Sequence, residues 1–113
     1  MSRLTRLVQR TVQAVGPLLL TFAAAPGVAA ATVEVEMLDY RFVPAEVRIK
    51  AGDTVRWINR EKRTSHSVLL VASGQESERL FPAEQWEKVF ERSGRHHYRC
   101  GPHPEMQGVV DVE

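Results

Sequence analysis

Thr32-Val33-Glu34-Val35-Glu36-Met37 alternates apolar and charged residues with a period of two, the pattern of a strand with one buried face. The same rhythm continues outward. Val47 and Ile49 alternate with Glu46, Arg48 and Lys50, Gly52-Asp53 is a turn signal, and Val55 and Trp57 alternate with Thr54 and Arg56. Residues 66–71 (HSVLLV) are mostly apolar, as expected of a strand covered on both faces. Trp86 and Phe90 share one face of 84–91, a segment whose pattern suits a strand or a helix. Ser93-Gly94 turns the chain, 95–99 runs into Cys100, and 108–112 closes the sequence as a strand. About seven to eight short strands separated by turn residues predict an all-β fold, a Greek-key sandwich or barrel with antiparallel pairing. Residues 72–83 are the one long connection, either a short helical turn or a crossing between sheets.

Residues 1–31 precede this pattern and read differently. Arg3, Arg6 and Arg10 lead an apolar stretch from Ala14 to Ala25, and the small-residue tail Gly27-Val28-Ala29-Ala30-Ala31 follows. That order predicts an export signal cut after Ala30 or Ala31, leaving a domain over 32–113. An uncleaved anchor is the alternative, but the stretch contains Gly16 and Pro17 and is shorter than the ~20 residues a bilayer requires. The chain has 15 basic and 14 acidic residues and a net charge of +1. Removing three arginines from the fifteen leaves twelve basic residues against fourteen acidic, a net charge of −2. A nucleic-acid binder needs a basic excess, so that class is excluded. A domain this small buries only about two-thirds of its unfolded surface and benefits from a staple. The single cysteine, Cys100, excludes an intramolecular disulfide; it is free, paired between chains, or a metal ligand.

Cys100-Gly101-Pro102-His103-Pro104-Glu105-Met106 spaces a thiolate, an imidazole and a thioether at i, i+3 and i+6. Soft sulfur with imidazole favours copper, and two histidines, one cysteine and a distant methionine define an electron-transfer copper site. The second histidine must come from another strand. His66 is the candidate, at the head of a strand and after a polar loop. Zinc would accept Cys and two His with water in the fourth place, but a thioether there argues against it. A two-copper centre needs two bridging cysteines and is excluded. His96 lies four residues from Cys100 along a strand, roughly 13 Å, and His97 faces the other side; both are read as structural or surface residues. Met37, Trp57, Trp86, Phe90 and Tyr98 are read as core, and Glu105 as a solvated charge at the rim.

Five ordered segments together resemble the cupredoxins, the small blue copper proteins. They are Phe42-x-Pro44, Gly52-Asp53-Thr54-Val55-x-Trp57-x-Asn59, His66-Ser67-Val68, Phe90-x3-Gly94-x3-Tyr98-x-Cys100, and Cys100-x2-His103-x2-Met106-x-Gly108-Val109-Val110. The two-residue gap between His103 and Met106 looks like the amicyanin type; plastocyanins usually have a longer one. The resemblance implies one copper ion in a type 1 site at one end of the sandwich. His66, Cys100 and His103 would hold it in a near-trigonal plane, with Met106 as a long axial ligand. It implies an electron path through the ring of His103 at an exposed apolar patch, for which Pro44, Pro82, Pro102 and Pro104 are candidates. It also implies a Ser67 backbone N–H aimed at the Cys100 sulfur. The family's usual asparagine at that position ties the two ligand loops, and the shorter Ser67 implies a weaker tie. The expected function is a periplasmic electron carrier, monomeric and not an enzyme, cycling Cu(I)/Cu(II) between redox partner proteins, with no stable membrane insertion after signal cleavage. The alternative is a periplasmic copper-binding or delivery protein.

Overall fold

The period-two segments form strands, and the alternation is visible in their burial. In the computed structural model residues 29–113 are described, together with Gly16 and Pro17; the expected export signal otherwise lies, up to residue 28, outside the described residues. The strands are β1 (Thr32–Leu38), β2 (Arg41–Val43), β3 (Glu46–Ile49), β4 (Thr54–Asn59), β5 (Leu69–Leu70), β6 (Gln85–Val89), β7 (Gly94–Arg99) and β8 (Gln107–Val112). One sheet has the order β2-β1-β4-β6 and the other β3-β8-β7-β5. The all-β sandwich is as expected; all-antiparallel pairing is not. β1 runs parallel to β4, and β3 parallel to β8. The chain changes sheet between β2 and β3 and again before β4, so a strand meets its neighbour by crossover instead of by hairpin.

The inward faces of the two sheets meet around Val35, Met37, Val55, Trp57, Tyr98 and Val110, all essentially inaccessible to solvent. Aromatic rings fill the centre edge to face: Phe42 and Tyr98 have centroids 4.7 Å apart, and Trp57 and Tyr98 5.2 Å, the geometry favoured by ring quadrupoles. Tyr98 pairs with Gly108 across β7 and β8, and its ring occupies the space that a Cβ at residue 108 would need. Only glycine fits there. The Tyr98 hydroxyl and the Trp57 indole N–H are buried without a well-formed hydrogen bond. Burial pushes the phenol up to about 12, with the indole N–H beside it acting weakly in the opposite direction.

Two ambiguous segments are decided by tertiary context. Residues 85–89 form strand β6, because pairing with β4 sets Trp86 against Trp57 with ring centroids 5.5 Å apart. The expected strand over 66–71 shrinks to Leu69–Leu70. Its earlier amides find side chains instead of a ladder: Ser67 N–H donates to Cys100 Sγ at 3.4 Å and Val68 N–H to Ser77 Oγ at 2.9 Å. Residues 72–83 open on a single helical turn, Gly74 N–H donating to the Leu70 carbonyl at 2.8 Å, and then cross from the sheet of β5 to that of β6, touching His66 and Leu69 through isolated bridges at Leu80 and Glu76. Where β1 emerges, the Asp53 carboxylate accepts the N–H groups of Ala31 and Lys50, each at 2.9 Å. These donors hold its carboxyl below the ordinary range.

Candidate metal centre

Three loops converge at one end of the sandwich. The first joins β1 to β2 through only Asp39 and Tyr40, since Leu38 pairs directly with Arg41. Both loop residues have positive φ, 53° and 57°, the combination a two-residue hairpin of matching twist demands. Tyrosine is an uncommon occupant of that region. The second loop, 60–65, leads from β4 to His66. Buried Asn59 organises it: its Nδ2 donates to the carbonyls of Thr64 at 2.8 Å and Leu80 at 2.9 Å, and its Oδ1 accepts the Glu61 N–H at 2.8 Å. The third loop, 101–106, follows β7. It is closed on itself by Met106 N–H donating to the His103 carbonyl and Cys100 N–H to the Met106 carbonyl, both at 2.9 Å. His66 is held by paired backbone bonds to Leu80, at 3.0 and 2.7 Å.

Three of the four predicted ligands meet. His66 Nδ1, Cys100 Sγ and His103 Nδ1 form a triangle with edges of 3.6 Å (His66 to Cys100), 3.5 Å (Cys100 to His103) and 3.2 Å (His66 to His103). A metal at about 2.0–2.3 Å from nitrogen and sulfur in a trigonal arrangement would spread such atoms roughly 3.5–3.7 Å apart. The triangle therefore has the size of a coordination plane. His66 and Cys100 are fully buried and His103 half-buried, and Met106 is buried at the end of the same loop. His96 and His97 stand apart from this cluster: the His96 ring packs on Phe90 and its Nε2 lies 2.9 Å from the Arg92 carbonyl, and His97 is exposed. Glu105 is exposed, as are Pro44, Pro102 and Pro104, while Pro82 is half-buried.

Two residues that sequence reasoning passed over shape the site. Glu61 Oε1 lies 3.1 Å from His66 Nε2 and accepts the Tyr40 N–H at 2.8 Å. A carboxylate at Nε2 fixes the proton there and leaves Nδ1 with a bare lone pair turned toward the triangle. With the His103 Nδ1 and a thiol sulfur facing it, this is an electron-rich pocket that a cation satisfies. Burial pushes the Glu61 carboxyl upward, but the Tyr40 N–H, the His66 ring and the Asp39 N–H outweigh it and hold the group below its usual value. Tyr40 is the second. Its ring stands edge-on to both histidines, with centroids 5.5 Å from His66 and 4.9 Å from His103. Its hydroxyl lies 3.2 Å from Thr64 Oγ1, and the residue is 48% exposed. No sequence signal marks Tyr40, because an Asp-Tyr pair is not a usual two-residue turn.

Ser67 behaves as the resemblance implies at its backbone and differently at its side chain. Its N–H reaches the Cys100 sulfur at 3.4 Å, and its Oγ accepts the Gly101 N–H at 2.9 Å. The tie between the ligand loops is thus made by a hydroxyl to a backbone amide.

A β-sandwich gathering one thiolate, two imidazole Nδ1 atoms and a buried thioether at one end defines a cupredoxin, and copper is its metal. Residues 29–113 match the model of the copper-binding proteins of the plastocyanin/azurin family, and the chain belongs to that family. It is 35% identical over 97 residues to amicyanin of Paracoccus denitrificans, covering 81% of this chain and 72% of that protein. It is 33% identical over 85 residues to plastocyanin of Scenedesmus fuscus, covering 64% of this chain and 86% of that protein. Among solved structures, a reduced amicyanin carrying a tryptophan-to-tyrosine substitution superposes with a TM-score of 0.70 at 31% identity, covering 73% of this chain and 82% of that one.

Proposed function

We propose that this protein is a periplasmic type 1 copper electron carrier in which His66, Cys100 and His103 would hold the ion and the Met106 thioether would serve as a weak fourth ligand. The observation that carries the reading is the near-equilateral triangle of His66 Nδ1, Cys100 Sγ and His103 Nδ1 on a frame already fixed by hydrogen bonds. Copper, when bound, supplies the one-electron Cu(I)/Cu(II) couple. The protein's part is to keep the donor atoms where they are in both states. His66 is locked through Nε2 by Glu61 and through its backbone by Leu80. The Cys100 sulfur receives the Ser67 N–H. Pro102 and Pro104 flank His103 with fixed φ and no N–H, which stiffens its loop. His103 is the ligand that reaches the surface, so electrons would enter and leave through its ring, beside Tyr40. Four protein ligands leave no position for a substrate, which favours a carrier over an enzyme. Redox partner proteins would dock at this end. Residues 1–31 have the order of an export signal, which supports the periplasmic location.

The test is the spectrum and voltammetry of the copper-loaded protein beside Cys100→Ser. An intense visible band from sulfur-to-copper charge transfer and a reversible one-electron wave are expected, both lost in the variant. A colourless wild type with stoichiometric copper would overturn the reading. Rapid copper release with negligible electron self-exchange would also overturn it, in favour of copper delivery.

A further inference from the structure

Glu76 lies outside the ligand set, yet its side chain reaches the thiolate's own loop. The residue sits in the crossing segment, where Glu76 bridges Leu69 and the flanking backbone binds back, Leu70 N–H to the Gln75 carbonyl at 2.8 Å and Ser77 N–H to the Val68 carbonyl at 2.9 Å. From there Oε2 approaches Ser67 Oγ to 3.4 Å. It also packs on Gly101 so closely that a Cβ at that residue would stand 2.5 Å from Oε2 and 2.6 Å from Ser67 Oγ. Glycine at 101 is what allows the carboxylate in.

The direction of these bonds follows from their chemistry. Ser67 Oγ accepts the Gly101 N–H at 2.9 Å, so its single proton is free to point at Glu76, whose carboxylate can only accept. The result is a chain from Gly101 N–H to Ser67 Oγ–H to Glu76 Oε2, in which each bond polarises the next. Ser67 therefore grips residues 100 and 101 twice, through its N–H on the sulfur and its Oγ on the following amide, and Glu76 orients the hydroxyl. A fixed negative charge one residue from the thiolate also favours the more positive state of a metal held there.

We infer that Glu76 is a positioning residue of the copper site: it completes the tie between the His66 and Cys100 loops that serine alone would leave loose, and its charge holds the reduction potential down. The inference rests on the copper reading above. Glu76→Gln keeps the shape and removes the charge. Glu76→Ala also removes the acceptor oxygen, which the amide of glutamine would keep. Glu78→Gln and Glu78→Ala, two residues away at a carboxylate exposed like Glu76, make the same changes without touching Ser67. The full-length variants are loaded with copper and compared with wild type by voltammetry and, in the diamagnetic reduced state, by amide hydrogen exchange at Gly101. Glu76→Gln should raise the potential, shifting the equilibrium with a fixed one-electron couple up to about tenfold toward reduced copper, ~59 mV. Glu76→Ala, which leaves the Ser67 hydroxyl without its acceptor, should speed Gly101 exchange several-fold, with the Glu78 variants changing neither readout. If Glu76→Gln matches Glu78→Gln in potential, or Glu76→Ala matches Glu78→Ala in Gly101 exchange, the inference is wrong. A wild type without a blue band or a redox wave would instead defeat the copper reading, so the two failures are told apart.

Discussion

Replacing Glu61 tests how far the metal centre is organised before any metal arrives. In Glu61→Ala the His66 Nε2–H loses its partner at 3.1 Å and the Tyr40 N–H its partner at 2.8 Å. The His66 ring is fully buried and Glu61 itself is only 10% exposed, so water does not readily replace the carboxylate. An orphaned buried donor costs about 1–3 kcal/mol, and a lost bond at a more accessible amide about 1 kcal/mol. The metal-free variant should therefore be destabilised by roughly 2–4 kcal/mol, read as a lower urea midpoint at unchanged slope. Freed from its carboxylate, the His66 ring loses its fixed tautomer, and copper affinity should fall about 10–100-fold in competition with a Cu(I) chelator. Both contacts end on Oε1, so the amide oxygen of Glu61→Gln can accept both and should recover most of the loss. The reasoning is refuted if Glu61→Ala unfolds within about 0.5 kcal/mol of wild type, an ordinary surface effect, and binds copper equally well.

Other perturbations probe the frame. Gly108→Ala drives a methyl into the Tyr98 ring and should cost at least about 1–3 kcal/mol in thermal or urea unfolding; a wild-type midpoint would mean the two strands part freely. Tyr98→Phe removes a hydroxyl that has no well-formed partner, so stability should change by less than about 1 kcal/mol, and a larger loss would reveal a bond the geometry does not show. Asp53 has its carboxyl held low by two backbone donors. Its contribution is thus present above the ordinary aspartate value of about 3.9 and fades as pH falls through the depressed folded value. The stability gap between wild type and Asp53→Asn should narrow on acidification below about pH 4; a gap constant to pH 2 would contradict the assignment.

What could be read from sequence follows the range of each signal. Val47 and Ile49 alternate with exposed neighbours in the folded chain as they do in the sequence, because burial of one strand face is a local pattern of period two. Cys100, His103 and Met106 were legible together because one short loop carries all three. His66 was legible from its place after a polar loop at the head of an apolar run and again in the family resemblance, and the triangle of donor atoms includes it. The parallel pairing of β1 with β4 was not legible: alternation reports which side of a strand is covered, never which strand lies beside it. Leu69–Leu70 is shorter than the apolar run suggested, since hydrophobicity does not record that the amides of Ser67 and Val68 bind a sulfur and a hydroxyl. Glu61 and Glu76 looked like ordinary loop carboxylates. Their roles depend on partners brought close only by the finished fold.

The position of β8 in its sheet sets an order of events for the newborn polypeptide. This strand, last in order among those described, lies between β3 and β7, so the half of the sandwich that carries Cys100 stays unzipped until β8 has emerged. Its contacts bridge distant parts of the chain, which makes closure slow relative to local structure. A nascent fragment ending short of β8 would hold Cys100 and its ligand loop with β3 and β7 left unjoined. The donor atoms and the frame that spaces them are thus completed by different stretches of chain, the frame last.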